Sequence, residues 1–394
     1  MKIVRIPTPT LLSVFLLSLL TPWPTLAQAP APPPHPRITA VPSPPDIAAS
    51  GYILQDFHTG RVIAEKNADE QLPPASLTKL MTAYLVFEAL TKGDINLEDR
   101  VTVSEKAWRM QGSRMFIEVD KHVRLEDLLR GMIVQSGNDA SVALAEFVAG
   151  GEDSFTDLMN RKAQDLGLRN TVFSNSTGMP ASPHHSTARD IAALSAAIIR
   201  DFPHFYGFYS EKSYTYNNIR QPNRNGLLWL DIGVDGLKTG YTEKAGYCLA
   251  GSAHREGMRL ISVVMGTQGK KAREIAVREL LNYGFRFYAT HRLFQAGAPV
   301  THAKVWKASM ESITLGLTED LSVTIPKGQD DRLETSMEPT ARIMAPVRKG
   351  QSLGTVRVTL DGQILAARPL VALEDVPEGG FWDRAVDNLM LMFE

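Results

Sequence analysis

The sequence is poor in cysteine and carries no excess of either charge. One cysteine among 394 residues excludes an intrachain disulfide and any multi-cysteine metal site. Lys and Arg number 42 and Asp and Glu 43, so the charge balance does not indicate a nucleic-acid partner. The nine histidines form no HxH or HExxH pair, and no GxGxxG or GxxxxGK phosphate loop occurs. We therefore expect no metal, no other cofactor and no nucleic acid.

The apolar run near the N-terminus is too short to span a bilayer comfortably, which takes about 20 residues. It extends from Leu11 to Leu20, follows Lys2 and Arg5, and precedes small residues around Ala27. This layout is typical of a secretory signal peptide, which we predict at residues 1–27 with cleavage after Ala27. An uncleaved N-terminal anchor is the alternative, although the pattern suits cleavage.

Beyond the signal peptide, the composition changes twice and predicts two folded domains. Residues 28–45 are dense in proline and indicate an extended linker. Residues 46–288 combine strand and helix patterns, which predict an α+β domain with an antiparallel sheet covered by helices. Residues 289–376 contain short strand-like runs separated by Gly, Pro and Asp, which predict a small all-β domain.

Within the α+β domain, the patterns predict individual elements. A β-hairpin is expected at 52–57 and 61–64, and two further strands at 247–253 and 260–265. Helices are expected at 76–90, 125–134, 139–148, 154–166, 187–200 and 272–288, with Ser154 and Thr187 as N-caps.

The C-terminal segment 377–394 predicts an amphipathic helix. From Phe381 onward, apolar and aromatic residues recur on one helical face and polar residues on the other. An in-plane membrane anchor is one interpretation, and packing on the β-domain is the other. The short length and the acidic polar face count against the anchor.

Three short motifs carry the candidate chemistry. Ser76 and Lys79 are three residues apart, so on a helix they share one face and can meet in a cleft. A lysine can activate a serine only if its pKa falls toward neutrality. Ser136-Gly137-Asn138 interrupts two predicted helices, and Lys238-Thr239-Gly240 precedes the predicted inner strands. Each motif alone is more typical of a chance match or an ordinary turn or loop, but the three in this order, at these intervals and in a secreted chain, strongly favour a catalytic site.

From residue 46 to 394 the chain resembles the serine-type D-alanyl-D-alanine carboxypeptidases, which are low-molecular-mass penicillin-binding proteins. SxxK, SDN and KTG are the signature of the wider penicillin-binding and β-lactamase group, and this branch carries SGN in the middle position. Longer matches surround the motifs: SGNDA from Ser136, NRNGLLW from Asn223, and VDGLKTGYT from Val234. The resemblance implies a transpeptidase-like domain, a β-domain and a C-terminal membrane helix.

The resemblance also implies the catalytic roles. Ser76 would attack the carbonyl between two D-alanines and form an acyl-enzyme, with Lys79 as general base. Ser136 would relay the proton to the leaving D-alanine.

It further implies the substrate contacts. Asn138 would hold the substrate amide, and Lys238 and Thr239 would bind the terminal carboxylate. Gly240 would allow a close, strand-like approach. The backbone N–H groups of Ser76 and Tyr241 would form an oxyanion hole.

Three residues leave alternatives open. Arg224 lies where the family has an arginine near the carboxylate pocket, but a solvent-exposed structural arginine is equally consistent. The family often has histidine in place of Tyr241. The implied oxyanion hole needs only the backbone N–H of this residue. Arg114 stands in a loop where the family has a small residue; it could contact an acidic stem peptide or simply be solvated.

Cys248 lies in an apolar strand and is expected to be a buried core residue. His184-His185 is expected to lie in a loop and not to form a metal site.

These observations predict a D-alanyl-D-alanine carboxypeptidase that trims peptidoglycan stem pentapeptides at the periplasmic side of the inner membrane. The resemblance implies covalent inhibition by β-lactams. A β-lactamase is the rival within the same chemistry, but the stretch 170–186 contains no Glu or Asp to serve as a deacylating base. A non-catalytic wall-binding or shape-maintenance protein is the rival from another class, and the intact motifs argue against it.

Overall fold

The computed structural model describes residues 41–392. The predicted signal peptide and most of the proline-rich linker lie outside the described residues. So do the last two residues of the predicted C-terminal helix.

The first part of the described chain alternates strands and helices. Its strands are β1 (Gly51–Asp56), β2 (Val62–Lys66), β3 (Arg100–Thr102), β4 (His122–Arg124), β5 (Ser213–Tyr216), β6 (Ile219–Pro222), β7 (Val234–Thr242), β8 (Gly246–Arg255) and β9 (Met258–Thr267). Its helices are α1 (Lys79–Lys92), α2 (Glu105–Trp108), α3 (Leu125–Val134), α4 (Asn138–Ala149), α5 (Glu152–Asp165), α6 (Ala188–Asp201) and α7 (Lys270–Phe287). Short 3₁₀ turns lie at Ala75–Thr78, Tyr206–Ser210 and Gly226–Trp229.

A five-stranded antiparallel sheet organises this part. Its order is β2-β1-β9-β8-β7, so β7 is an edge strand. Neighbouring strand residues face opposite sides, as the pleat requires. On β9, Val263 packs in the larger core with helices α1 and α3–α6, whereas Val264 packs in the smaller core under α7. The sheet is therefore buried on both faces.

The second part is an all-β domain followed by a helix. Its strands are β10 (Tyr288–Phe294), β11 (Pro299–Trp306), β12 (Ser312–Gly316), β13 (Leu321–Pro326), β14 (Leu333–Pro339), β15 (Ile343–Met344), β16 (Ser352–Leu360) and β17 (Gln363–Ala372). Six of them form a sheet in the order β14-β16-β17-β12-β11-β15, while β10 pairs with β13. Helix α8 (Phe381–Met390) follows.

This architecture confirms the predicted α+β class, the hairpin and the all-β domain. Thr187 is confirmed as the N-cap of α6, since its hydroxyl accepts the N–H of Asp190 at 3.0 Å. Ser154 as a cap is wrong: α5 starts two residues earlier, at Glu152, so Ser154 lies inside the helix. The helix predicted from residue 76 begins as a 3₁₀ turn and becomes α-helical at Lys79.

A buried carboxylate joins the first hairpin to the β-domain. Asp56, at the end of β1, is fully buried and accepts the N–H of Thr59 at 2.8 Å and the hydroxyl of Thr290 at 2.6 Å. The hydroxyl of Thr324 on β13 lies 2.7 Å from that of Thr59. The guanidinium of Arg61 on the hairpin also contacts the β-domain, because it donates a hydrogen bond to the carbonyl of Thr324 at 2.5 Å.

We expect Asp56→Ala to destabilise the protein by about 2 kcal/mol, because it leaves buried N–H and O–H donors without an acceptor. Thermal unfolding of the mature protein measures this. Asp94→Ala, at an exposed position, serves as control and should change stability by at most about 0.5 kcal/mol. Equal midpoints for the two variants would contradict the assignment.

Candidate active site

The first motif forms a tight turn at the start of α1. Ala75, immediately before Ser76, has φ +47°, in the left-handed region that non-glycine residues seldom adopt. Strained backbone of this kind concentrates at functional sites. The 3₁₀ turn buries Leu77 and Thr78 and leaves the hydroxyl of Ser76 at the surface of a cleft.

Lys79 is buried, with 1% of its surface exposed, yet its ammonium nitrogen has three polar neighbours. Nζ lies 3.2 Å from Ser76 Oγ, 2.7 Å from Asn138 Oδ1 and 2.6 Å from the carbonyl oxygen of Thr177. Burial and, to a lesser extent, the charge of Arg224 lower the pKa of Lys79 to about 7, while the charge of Asp139 acts in the opposite direction. A substantial fraction of Lys79 is therefore neutral near physiological pH.

This arrangement orients the neutral amine. Asn138 Oδ1 and the Thr177 carbonyl can only accept hydrogen bonds, so they engage the two N–H bonds of the neutral amine. The lone pair is then left for the hydroxyl of Ser76. Such a geometry suits proton abstraction from the serine.

The second motif connects α3 to α4, and its Asn138 is the first residue of α4. Ser136 has φ +67°, a second strained non-glycine position in the site. The carboxamide of Asn138 binds Lys79 through its oxygen and donates to the carbonyl of Gln111 at 2.6 Å. Because an amide nitrogen carries two hydrogens, one N–H remains for a substrate carbonyl.

Asp139 supports this motif, and sequence reasoning missed it. Its buried carboxylate accepts the backbone N–H groups of Met115 at 3.0 Å, Phe116 at 2.8 Å and Ile117 at 3.3 Å. It thereby ties the loop before β4 to α4. An acidic residue directly after the motif, in the first turn of a helix, was the available signal.

The third motif lies within the edge strand β7, not in a loop before the sheet. Lys238 is 2% exposed and donates to the carbonyl of Thr239 at 3.1 Å. Burial holds its pKa well below the ordinary value, and the charges of Lys79, Arg224 and Arg273 act in the same direction. A Cβ on Gly240 would lie 3.1 Å from the carbonyl oxygen of Pro74, so glycine lets β7 approach the 3₁₀ turn that carries Ser76.

The three motifs meet at a cavity of about 200 Å³. It is lined by Ser76, Ser113, Ser136, Arg224, Thr239, Gly240, Tyr241, Tyr247, Lys270 and Arg273. Arg224 lies at its rim and donates to the carbonyl of Gln135 at 2.7 Å. The two alternatives for Arg224 are therefore compatible. Its Nε makes a structural hydrogen bond to the backbone of Gln135, while the same side chain lines the cavity where a substrate carboxylate could bind.

Arg273 is the second site residue that the sequence did not reveal. It is 5% exposed, it donates to the carbonyl of Gly240 at 2.9 Å, and its Nε has no partner among the described residues. An arginine on the inward face of an amphipathic helix is an unusual core residue and was the available signal.

The loop after α5 packs against the other side of the 3₁₀ turn that carries Ser76. A Cβ on Gly178 would lie 1.8 Å from the carbonyl oxygen of Ala75. His184 is buried, and its Nε2 lies 2.9 Å from the hydroxyl of Thr78. Burial lowers the pKa of His184 to about 4. His184 therefore packs against the first motif. Residues 41–392 contain no cluster of His, Cys, Asp and Glu able to hold a metal.

Two other expectations can be compared with the structure. Cys248 is fully buried, which confirms it as a core residue, and burial raises the pKa of its thiol to about 11. Arg114 stacks on the ring of Phe116, with Cζ 5.3 Å from the ring centroid, and does not line the cavity.

Comparison with known proteins places this site in a family. The family model described as D-alanyl-D-alanine carboxypeptidase matches residues 38–269, and that of the C-terminal domain of penicillin-binding protein 5 matches residues 288–378. The chain is 43% identical over 363 residues to the D-alanyl-D-alanine carboxypeptidase DacA of Escherichia coli, covering 90% of both chains. It is 45% identical over 357 residues to DacC of the same organism, covering 89% of both.

Solved structures agree. The structure of penicillin binding protein 5 from Haemophilus influenzae superposes with a TM-score of 0.81 at 43% identity, covering 85% of this chain and 99% of that one. The ampicillin-bound form of penicillin-binding protein D2 from Listeria monocytogenes gives a TM-score of 0.58 at 30% identity, covering 62% of this chain and all of that one.

The pKa of Lys79 predicts a pH-dependent acylation. Below about pH 7 the ammonium has no lone pair, so labelling of Ser76 by a fluorescent penicillin should accelerate about tenfold from pH 6 to pH 8. Stopped-flow labelling of the mature protein measures the rate. Lys79→Arg stays protonated and should label far more slowly throughout this range. A wild-type rate that does not change with pH would exclude Lys79 as the base.

Proposed function

Because the chain belongs to the D-alanyl-D-alanine carboxypeptidase family, we propose that Ser76 is its nucleophile and Lys79 the base that activates it. The protein is a serine-type D-alanyl-D-alanine carboxypeptidase, a penicillin-binding protein that acts on peptidoglycan. The observation that carries the assignment is the 3.2 Å contact between Lys79 Nζ and Ser76 Oγ in a buried site where the lysine pKa is depressed.

In the proposed reaction, the substrate is the stem pentapeptide that ends in D-alanyl-D-alanine. Lys79 takes the proton of Ser76, and Oγ forms an ester with the penultimate D-alanine. The amide C–N bond breaks, and the leaving amine receives a proton through Ser136. Water then hydrolyses the ester, with Lys79 again as base, and releases the shortened peptide.

Substrate placement follows from the edge strand. An extended peptide can lie along β7, with its terminal carboxylate at Thr239, Lys238 and Arg224. The N–H groups of Ser76 and Tyr241 would stabilise the oxyanion. β-Lactams offer the same acyl carbonyl and carboxylate, so they would acylate Ser76 and block the enzyme.

The β-lactamase alternative lacks a carboxylate that could serve as an additional deacylating base. The loop that covers the nucleophile turn presents the carbonyl of Thr177 to Lys79, and its residues 170–186 include no carboxylate. No acidic side chain lines the cavity among the residues that the structure describes. A long-lived acyl-enzyme with penicillin is therefore expected.

Ser76→Ala should abolish two activities together, since both pass through the same ester. One is labelling by fluorescent penicillin, and the other is D-alanine release from diacetyl-Lys-D-Ala-D-Ala. Gel fluorescence and an assay for free D-alanine measure them. Ser113→Ala, which changes another serine at the cavity, is the matched control and should still be labelled. Labelling of Ser76→Ala at the wild-type rate would place the nucleophile elsewhere.

For the location, we propose a peripheral attachment to the periplasmic face of the inner membrane through α8, after signal-peptide removal. No helix within residues 41–392 has the length and apolar character needed to cross a bilayer. On α8, however, large apolar side chains are open to solvent: Phe381 is 71%, Trp382 78% and Leu389 60% exposed. Packing on the β-domain thus leaves much of this face uncovered.

The acidic residues of α8 oppose membrane binding less than their charge suggests. Asp383 accepts the N–H of Gly380 at 2.8 Å and so caps the helix. Asp387 accepts the backbone N–H of Lys307 on the β-domain. Both carboxylates therefore have fixed partners on the protein side, and the exposed apolar face remains for the lipid.

Deleting residues 381–394 should release the mature protein from membranes without changing D-alanine release from a small peptide. Vesicle flotation at low and high salt measures the association, which should persist in salt because it is driven by apolar burial. Leu389→Glu should weaken flotation, whereas Asn388→Glu adds the same charge on the polar face and should not. A full-length protein that remained soluble, or that salt alone released, would favour packing on the β-domain.

A further inference from the structure

A second cavity lies where the α+β domain meets the β-domain, and it shares no lining residue with the active-site cavity. Its volume is about 430 Å³, which falls in the range of binding sites for small organic ligands. It is lined by Arg255, Glu256, Met258, Asn282, Phe285, Arg286, Tyr288, Ala289, Thr290 and Lys327. Nothing in the proposed reaction uses these residues.

The walls of this interdomain cavity carry an excess of positive charge. The cations are Arg255, Arg286 and Lys327, and the one carboxylate is that of Glu256. None of the four side chains forms an ion pair with any residue that the structure describes. Three positive charges and one negative charge leave a net charge of +2 on the walls, without a counter-charge from the protein.

Arg255 is held in place before any ligand binds. It precedes the two-residue turn Glu256-Gly257 between β8 and β9, in which both residues have positive φ, as a type I′ hairpin requires. Its Nε donates to the carbonyl of Ile232 at 2.8 Å, and one terminal nitrogen donates to Asn282 Oδ1 at 3.1 Å. The guanidinium stacks on Phe285, with Cζ 4.4 Å from the ring centroid. Its other terminal nitrogen, Nη1, therefore remains for a ligand.

Burial also lowers the pKa of Arg255, and no acidic neighbour opposes this effect. A bound anion would supply the missing negative charge next to the guanidinium.

The other two cations come from different domains. Arg286 is exposed and lies in the last turn of α7, whereas Lys327 directly follows β13 of the β-domain. The backbone N–H of Lys327 donates to the carbonyl of Phe287 at 2.9 Å, which holds the two segments together. The C-terminus of a helix carries about half a negative charge. This charge can stabilise one of the cations but does not balance all three.

The charge of the cavity fits a phosphomonoester better than a carboxylate. Guanidinium groups bind both kinds of oxyanion through paired N–H donors. A carboxylate carries one negative charge, while a phosphomonoester carries about 1.5 to 2 near pH 7 and so matches the excess. Met258, Phe285 and Tyr288 line the same cavity and offer carbon atoms to the organic part of such an ester.

We propose that Arg255, Arg286 and Lys327 form a binding site for a phosphomonoester between the two domains. The inference goes beyond the proposed function and does not depend on acylation of Ser76. Because the cations belong to both domains, the ligand would link the α+β domain to the β-domain.

The test compares glucose 6-phosphate with glucose, which lacks only the phosphate. Calorimetric titration of the mature protein at low ionic strength measures both, and we expect the wild type to bind the phosphate ester alone. Lys327→Glu leaves two positive and two negative charges on the walls, so it should weaken this binding about tenfold or more. Lys349→Glu makes the same change at an exposed position of the β-domain outside the cavity and should leave the affinity unchanged.

Arg286→Glu changes an exposed residue on the other domain and should cause the same loss, so the result does not depend on the folding of one variant. Equal affinity of the wild type for glucose 6-phosphate and glucose would overturn the site, as would equal losses in Lys327→Glu and Lys349→Glu. The active-site cavity is also cationic, and Lys270→Glu tests it. Binding lost in Lys270→Glu but kept in Lys327→Glu would place the phosphate there and overturn the interdomain site.

Two further probes, inorganic phosphate and glycerol 3-phosphate, distinguish the sources of the phosphate group. If both bind as tightly as glucose 6-phosphate and with the same dependence on Lys327, the site recognises phosphate alone. Tighter binding of glycerol 3-phosphate would assign the site to a lipid headgroup with a terminal phosphate. Tighter binding of glucose 6-phosphate would assign it to a sugar phosphate.

Discussion

The burial of one lysine is the constraint on which the active site depends. An ammonium group removed from water loses much of its solvation, so the pKa of Lys79 falls to about 7. The neutral amine then has a lone pair that can accept the proton of Ser76. The cost is limited because Asn138 and the Thr177 carbonyl accept its N–H bonds. A burial that would ordinarily destabilise a protein thus gives Lys79 the pKa that the proposed activation of Ser76 needs.

Three separate segments must converge to create that environment, and close backbone approach makes this possible. Gly240 brings the edge strand against the 3₁₀ turn that carries Ser76, and Gly178 brings the loop after α5 against the carbonyl of Ala75. Asp139 then ties the loop of residues 115–117 to α4. The result excludes water from Lys79 while leaving Ser76 at a cavity open to a peptide.

The rest of the molecule positions this site. The sheet is buried on both faces, so its edge strand β7 rests on a rigid support, and that edge is where an extended substrate can add. The β-domain joins the sheet through the Asp56–Thr290–Thr324 contacts rather than through a flexible tether. After the β-domain, α8 presents the exposed aromatic side chains of Phe381 and Trp382, on which the proposed membrane attachment rests.

Sequence alone determined the class of fold and predicted the three motifs of the candidate site. The hairpin, the main helices and the all-β domain follow from local periodicity, and Ser76, Lys79, Ser136 and Lys238 follow from short spacings and family resemblance. Periodicity did not separate a 3₁₀ turn from an α-helix at Ser76, nor an edge strand from a loop at Lys238, because both are set by packing against distant segments.

Only the tertiary structure decided the pKa of Lys79 and the set of charged side chains that line the cavity. The depressed pKa of Lys79 depends on burial by segments about 60 and 100 residues away in sequence. The same holds for Arg273 and Lys270, which enter the cavity from α7 and belong to no motif. Charge and burial at a site are sums over residues that are neighbours in space, and a linear pattern does not contain those distances.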